Sequence, residues 1–343
     1  MESFGCGRKK SVKSAEVSVV EGNFCRYLLL TVVVIQDSEG PQTKSFLLSF
    51  HLTLSMIKLQ EPLDDTVVNI LRLANTKLPK DIGWSLEAAA GWETNATAYT
   101  QLGSIMDNVK KSEYLGRPMC QDTGIPIFYV SGNIPKDIAE HIAKGVEKAT
   151  RAIPLRPNTV HPLTRNNPGN NLGDGMPIIH YHPTDDDFLE ITVVPKGAGS
   201  ENMTKLMMLD PSAGEQGVKD SVVSAVLDAG GRPCPPTVVG IGIGGTADIC
   251  VQMAKEALLE PIDRRKDPEI RRIEEELFTR LNNSGLGPMG LGGDTTVLAV
   301  RVKMAYCHTA SLPVAVNMSC WASRRASVRI RNGIPEYSQE GFK

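Results

Sequence analysis

Three of the seven cysteines are predicted to lie in loops or at strand ends with polar neighbours, where a thiol can bind a ligand. Cys120 lies in the stretch 116–124, Gly-Arg-Pro-Met-Cys-Gln-Asp-Thr-Gly, which carries a guanidinium, an amide, a carboxylate and a hydroxyl beside the thiol. Its glycines let backbone approach a ligand, and its proline stiffens the turn. Cys234 lies between prolines, and Cys320 precedes Trp321. Taken alone, the first stretch is equally typical of a surface loop with a solvent-facing charge.

The spacing of Cys120, Cys234 and Cys320 indicates which metal chemistry they could support. Zinc knuckles pair ligands two to four residues apart, whereas these three thiols are far apart in the sequence. A site with three thiolates from distant loops fits a cubane [4Fe–4S] cluster in which one iron has no protein ligand. Such an iron is a Lewis acid that can bind the hydroxyl and carboxylate of a hydroxy acid and assist loss or gain of water.

The remaining cysteines and the composition limit the other possibilities. An odd number of scattered cysteines favours a reducing compartment, here the cytoplasm, over a disulfide framework. Cys250 is predicted to lie in a helix core, and Cys307 beside His308 stays unassigned. With 343 residues, 41% hydrophobic residues and a net charge of −2, the chain can bury a sizeable core and has no nucleic-acid footprint.

Residues 1–55 differ in sequence pattern from the rest of the chain. Two apolar runs, 27–35 and 45–50, are each too short to span a bilayer, which argues against a membrane protein. A secretory signal is one interpretation, although acidic residues separate the basic start from the first run and no cleavage site follows. A pair of extra strands is a second. A third is that translation starts at Met56 and that the residues before it are not native.

From Met56 onward the patterns predict an α/β fold of mixed sheets with surrounding helices, in a single catalytic domain. Apolar residues at helical spacing, together with one charged segment, predict helices over 64–77, 137–153, 218–229, 247–259 and 260–281. Strands are predicted over 125–130 and 297–305. The runs 177–182 and 188–194 are predicted to pair as a hairpin.

Two further segments could bind an anion. The long Asn- and Gly-rich loop 156–175 carries Arg156 and Arg165, which fits an anionic ligand but also two solvated surface arginines. The turn 196–202, Lys-Gly-Ala-Gly-Ser-Glu-Asn, can present several backbone N–H groups to an anion.

A glycine motif raises the alternative of a dinucleotide-binding enzyme. Gly240, Gly242 and Gly245 match G-x-G-x-x-G between a strand and a helix. A Rossmann unit requires a second parallel strand that ends in an acidic residue about 20 positions on. Residues 260–281 instead read as a charged helix. The glycines are therefore predicted to serve close backbone packing, and an NAD-dependent oxidoreductase is the weaker alternative.

Several motifs occur together and in order. They are Cys120-Gln-Asp-Thr-Gly, Lys196-Gly-Ala-Gly-Ser, Cys234-Pro-Pro with a following Ile-Gly-Gly, and Gly285-Leu-Gly-Pro-Met-Gly-Leu-Gly-Gly. This set closely resembles the class I fumarase family, and more narrowly the α subunit of a two-subunit fumarate hydratase or L(+)-tartrate dehydratase. The resemblance covers 56–330. It leaves 1–55 as an extension outside the family and 331–343 as a C-terminal tail.

The resemblance implies specific roles. Cys120, Cys234 and Cys320 match the ligands of a [4Fe–4S] cluster. Substrate contacts fall on Gln121 and Asp122, on Arg156 in the long loop, and on the backbone amide of Gly199, with Asp122 a candidate for part of the proton transfer. The turn has Ala198 where many relatives have glycine, and Arg165 has no secure match.

The resemblance also implies a partner. Single-chain relatives continue into a second domain that supplies further carboxylate-binding and acid–base residues. A β subunit is therefore expected to complete the active site in a hetero-oligomer. The expected reaction is reversible hydration of fumarate to (S)-malate, as in the tricarboxylic acid cycle. The alternatives are L(+)-tartrate dehydration and a non-catalytic iron–sulfur protein.

Overall fold

The computed structural model describes residues 26–30, 52–56, 61–262 and 267–339. The chain divides into two units, residues 1–60 and 61–343. In the first unit, β1 (Arg26–Leu30) and β2 (Leu52–Met56) pair antiparallel. Strand β1 overlaps the first apolar run of the sequence, while the second run, 45–50, lies outside the described residues. The interpretations of 1–55 as a secretory signal or as non-native residues concern positions that lie mostly outside the described residues.

The second unit contains helices and mixed sheets, which confirms the predicted fold class. Its described helices are α1 (Leu63–Thr76), α2 (Lys80–Trp92), α3 (Ala96–Leu115), α4 (Ile138–Ala152), α5 (Ala198–Glu201), α6 (Gly214–Ala229), α7 (Ala247–Ala257) and α8 (Pro268–Asn282). Its described strands are β3 (Ile125–Gly132), β4 (Ile178–Pro183), β5 (Phe188–Lys196), β6 (Lys205–Leu209), β7 (Thr237–Ile243), β8 (Val297–Met304), β9 (Leu312–Ser319), β10 (Ala326–Arg331) and β11 (Ile334–Ser338).

These strands form two mixed sheets. The first has the order β11-β10-β5-β3-β4, in which β3 and β4 are parallel and the other neighbours antiparallel. The second has the order β6-β9-β7-β8, in which only β7 and β8 are parallel. No described helix is long and apolar enough to cross a membrane.

The prediction that 177–182 and 188–194 pair as a hairpin is wrong. Both segments are strands, β4 and β5, but β3 lies between them and pairs with each. Strand β3 is buried along nearly its whole length, so its backbone groups on both edges need strand partners. Alternation of apolar and polar residues within a segment predicts a strand, but it does not predict which other strand pairs with it.

The sequence patterns also did not predict β11, which extends the first sheet within the expected C-terminal tail.

The predicted helix over 137–153 is confirmed as α4, and its apolar face explains how it is held. Ile142, Val146 and Ala149 are fully buried, as the helical period requires. Helix α1 packs against this helix and against β5 and β10. Gly145 allows the close approach, because a Cβ there would lie 2.5 Å from the Cβ of Val67.

The second sheet is covered on both faces, and β7 shows how the sequence arranges this. Val239 and Ile241 face a core that includes residues of α6 and α8. The alternate residues, Gly240 and Gly242, face α7, where an added Cβ would lie 2.1 Å from a backbone carbonyl oxygen. The predicted role of these glycines in close packing is confirmed. Helix α8 follows where a Rossmann unit would need a strand. Cys250 of α7 is fully buried, as predicted.

We expect Gly240→Ala to destabilise the chain by roughly 3 kcal/mol, because the new methyl group meets backbone that cannot rotate away. The atom in its path is the carbonyl oxygen of Ala254. Urea unfolding followed by circular dichroism measures the change. Gly103→Ala is the matched control, since Gly103 lies inside α3 with nothing within 4 Å of the added Cβ. That change should stabilise by about 0.5–1 kcal/mol. Equal midpoints for the two variants would contradict the packing role.

Candidate active site

The register of the second sheet brings two of the predicted cysteine ligands together. Strands β7 and β9 are antiparallel, with Val238 near the start of β7 opposite Ser319 at the end of β9. Cys234 precedes β7 and Cys320 follows β9, so both lie at the same edge of the sheet. The backbone N–H of Trp321 donates to the carbonyl of Cys234 at 3.1 Å, which joins the two loops directly.

The register of the first sheet places the remaining predicted loops together. Ile125 at the start of β3 pairs with Lys196 at the end of β5. The loop that carries Cys120 and Asp122 precedes β3, and the turn that carries Gly199 follows β5. The Asp122 carboxylate links them, because its Oδ2 accepts a hydrogen bond from the Ala198 N–H at 2.8 Å.

Segment 320–325 connects the two sheets, since it leaves β9 in one and enters β10 in the other. Its two arginines are almost fully buried. Arg324 donates to the backbone carbonyl of Asp122 at 3.0 Å and to Oδ1 of Asn75 in α1 at 3.2 Å. Arg325 forms an ion pair with buried Asp81 of α2 at 2.5 Å. These bonds hold the Cys320 loop against the Cys120 loop.

The three thiols lie close enough to interact electrostatically. Burial raises the pKa of Cys234, and the neighbouring Cys320 and Cys120 raise it further. Burial also raises the pKa of Cys320, with an opposing effect from Arg324 and Lys196 and a further increase from Cys120. All three cysteines are free. The structure therefore brings together the three predicted thiols, whereas Cys307 lies exposed and donates to the carbonyl of Ser311.

The donor set of this site consists of three free cysteine thiols. Among the described residues, no group of three or more His, Cys, Asp or Glu is arranged to hold a metal ion. The three thiols interact electrostatically with one another. Three thiolates also match the soft-ligand preference of iron–sulfur clusters. The residues present fit a cluster with one iron not bound by the protein.

Asp122 is held firmly at this site. Its Oδ1 accepts hydrogen bonds from the Gly124 N–H at 2.9 Å and from Nδ2 of Asn158 at 3.1 Å. With the bond from Ala198, three N–H donors fix the plane of the carboxylate. Each carboxylate oxygen can accept two bonds, so Oδ2 retains one acceptor position.

The other predicted substrate-contacting residues are more open. Gln121 and Gly199 are exposed. Arg156 is also exposed, and its guanidinium makes no hydrogen bond or ion pair with any described residue. Its backbone is fixed, because the Arg156 N–H donates to Oγ1 of Thr123 at 3.0 Å and its carbonyl accepts from Asn171 at 3.1 Å. This places the Arg156 backbone beside the Cys120–Gly124 stretch. No described contact links exposed Arg165 to these residues.

Sequence reasoning assigned no role to Asn158, Arg324 or Asn75. Asn158 lies two positions after Arg156 in the Asn-rich loop, and its amide donates to both Asp122 and the Gly124 carbonyl. For Arg324, the available signal was a pair of arginines after Cys320 with no acidic residue nearby in sequence. Such charges require distant partners if they are buried.

Comparison with known proteins gives a consistent result. A family model described as fumarate hydratase (fumerase) matches residues 64–329. A protein of Methanocaldococcus jannaschii named "Putative L(+)-tartrate dehydratase subunit alpha" is 48% identical over 279 residues, which cover 78% of this chain and 98% of that protein. The L(+)-tartrate dehydratase subunit alpha of Escherichia coli K12 is 32% identical over 275 residues, covering 78% of this chain and 90% of that protein.

A relative named as a fumarate hydratase shows the same similarity over part of its length. The "Putative fumarate hydratase class I" of Geobacillus stearothermophilus is 34% identical over 283 residues, which cover 79% of this chain but only 55% of that protein. The matched region of this chain includes all three cysteine loops and the Asp122 site. The chain therefore belongs to the class I fumarate hydratase family and is a hydro-lyase.

Proposed function

We propose that this chain is the cluster-bearing α subunit of a fumarate hydratase that interconverts fumarate and (S)-malate in the cytoplasm, as in the tricarboxylic acid cycle. The observation that supports the proposal is that hydrogen bonds join the loops of Cys120, Cys234 and Cys320 to one another, with Asp122 in the first of these loops. Cys120, Cys234 and Cys320 would hold a [4Fe–4S] cluster. When bound, the cluster supplies a Lewis acid for the gain or loss of water.

Asp122 would bind and orient the reacting hydroxyl or water. Three N–H donors fix the carboxylate, and the open position on Oδ2 can accept a hydrogen bond from the substrate. A carboxylate in this position can also take part in proton transfer. Because the orientation of Asp122 is fixed before substrate arrives, little reorganisation is needed during the reaction.

Arg156, Gly199 and Gln121 would bind the substrate itself. The Arg156 guanidinium has no partner among the described residues and can capture a carboxylate with two parallel hydrogen bonds. Gly199 leaves its backbone amide open to an oxygen, and a Cβ there would lie 3.1 Å from the carbonyl oxygen of Arg232. The exposed Gln121 amide lies next to the first thiol and adds a neutral donor.

L(+)-Tartrate dehydration is the second candidate reaction. It is favoured by the names of two relatives, including the one that is 48% identical. Tartrate carries one hydroxyl more than malate, so the site would need a further hydrogen-bond partner for it. Comparing kcat/KM for fumarate, malate and tartrate distinguishes the two reactions.

A β subunit would complete the active site in a hetero-oligomer. Relatives that match nearly their full length to this chain are named subunit alpha, whereas the relative named fumarate hydratase class I extends well beyond the matched region. Gln121, Arg156 and Gly199 are all exposed, so the site is open on the side where substrate would bind. A covering partner would exclude water and supply the counter-charge for the second carboxylate of the substrate.

The cluster assignment predicts different results for different cysteines. Anaerobically reconstituted chain should hold about four irons and show broad visible absorbance. Cys234→Ala should abolish the absorbance, because it removes one of the three thiolates. Cys250→Ala and Cys307→Ala are the controls, one buried and one exposed, and both should keep it. A requirement for Cys250 with Cys234 dispensable would overturn the ligand assignment.

Arg156→Lys tests the substrate carboxylate contact. Loss of the bidentate guanidinium should cost on the order of 1.5–3 kcal/mol, or roughly ten- to a hundredfold in kcat/KM. Steady-state kinetics of the complete enzyme measures this, with iron content unchanged. Arg165→Lys, an equally exposed change in the same loop, should have no effect. If both variants match the wild type, Arg156 is a surface residue only.

The partner is tested by comparing the chain alone with the assembled enzyme. The isolated, iron-loaded chain should hydrate fumarate at a negligible rate, because its site is open to water and lacks a counter-charge. Addition of the β subunit should restore turnover, and size-exclusion chromatography should show one larger species. Fast turnover by the isolated chain would show that it needs no partner.

A further inference from the structure

Lys196 is a buried lysine at the point where the two sheets meet. It ends β5, and its side chain is almost fully buried. Its Nζ donates to the carbonyl of Met318 at 2.5 Å and to Oγ of Ser200 at 2.8 Å. Met318 lies in β9, two residues before Cys320, and Ser200 follows Gly199. One ammonium group therefore bonds both the strand that carries a cysteine and the turn that carries a substrate-binding amide.

The surroundings of Lys196 carry more positive than negative charge. Glu201 lies 3.6 Å from the Lys196 Nζ but also pairs with Lys255. Lys196, Lys255 and Arg324 line one small cavity of about 20 Å³, together with Ser319 and Ser323. The lining of this cavity thus contains three cations and no carboxylate. Buried charges of one sign are costly unless an opposite charge compensates them.

The missing negative charge lies on the cysteine side of the cavity. Cys320 directly follows Ser319, and its thiol interacts electrostatically with both Lys196 and Arg324. The Nε of Arg324 is buried with no hydrogen-bond partner among the described residues. Three thiolates carrying an iron–sulfur cluster would supply the anion that this region lacks. The cations and the thiols are therefore complementary parts of one arrangement.

We propose that Lys196 is a positioning residue of the hydro-lyase site, which fixes Cys320 relative to the Gly199 turn and stabilises the negative charge of the thiolate-bound cluster. The inference rests on the proposed function, since it requires the cluster. It goes beyond that function by assigning a role to a buried residue that makes no contact with substrate. Two effects are expected on its removal, one geometric and one electrostatic.

Lys196→Met in the assembled enzyme tests both effects, because methionine fills similar space without charge or donors. Glu201 keeps its pair with Lys255, so no carboxylate is left alone. We expect the cluster reduction potential to become more negative and kcat to fall by roughly tenfold or more, with a smaller change in KM. Lys196→Arg should restore part of both quantities. Lys255→Met is the matched control. Lys255 shares the cavity and Glu201, so its loss should also make the potential more negative, but it does not contact Met318 or Ser200, so kcat should stay near the wild-type value.

Glu201→Gln gives a second, opposite test that does not depend on the stability of the first variant. It removes the carboxylate that offsets the cations, so the potential should become less negative. If iron-loaded Lys196→Met has the cluster potential and the turnover of the wild type, the inference about Lys196 is overturned but the proposed function is not. Equal effects of Lys196→Met and Lys255→Met would overturn it too, as would a shift of the same sign in Glu201→Gln. A wild-type chain that takes up no iron would overturn the proposed function as well.

Discussion

The arrangement of the candidate site depends on two buried guanidinium groups, each of which needs a hydrogen-bond acceptor or an opposite charge. Arg324 and Arg325 lie in the segment that passes from one sheet to the other, and both are almost completely shielded from water. A buried cation without a partner costs several kcal/mol, so the fold must bring acceptors to them. Asp81 of α2, Asn75 of α1 and the Asp122 carbonyl fill this role. Satisfying these charges fixes the Cys320 loop against the elements that carry Cys120.

Strand register provides the rest of the arrangement. In each sheet, the loop before one strand and the loop after its antiparallel neighbour lie at the same edge, as Val238 opposite Ser319 and Ile125 opposite Lys196 show. Two pairs of loops are thereby formed, one in each sheet. Arg324 and Lys196 then connect one pair with the other through hydrogen bonds. Loops held at their ends by strands can keep a precise geometry while remaining open to a ligand.

The polar residues of the site divide into held and open groups. Asp122 is fixed by three N–H donors, whereas the Arg156 guanidinium is exposed and makes no bond with described residues. A fixed carboxylate beside a free cation suits a substrate that presents both a hydroxyl and a carboxylate. This agrees with the hydro-lyase family to which the chain belongs. In the proposed function, the fixed group would orient the reacting hydroxyl or water, and the open group would bind a carboxylate of the substrate.

The sequence by itself predicted the types of many elements and named the candidate reactive residues. Apolar periodicity predicted α4, and the missing second strand correctly separated Gly240 and Gly242 from a dinucleotide motif. Only the tertiary structure decided that β3 lies between β4 and β5, and that Asn158, Arg324 and Lys196 donate hydrogen bonds to Asp122 and to the strand before Cys320. Periodicity reports which face of an element is buried. Strand partners and buried charge pairs join residues far apart in the sequence, and local patterns do not specify that pairing.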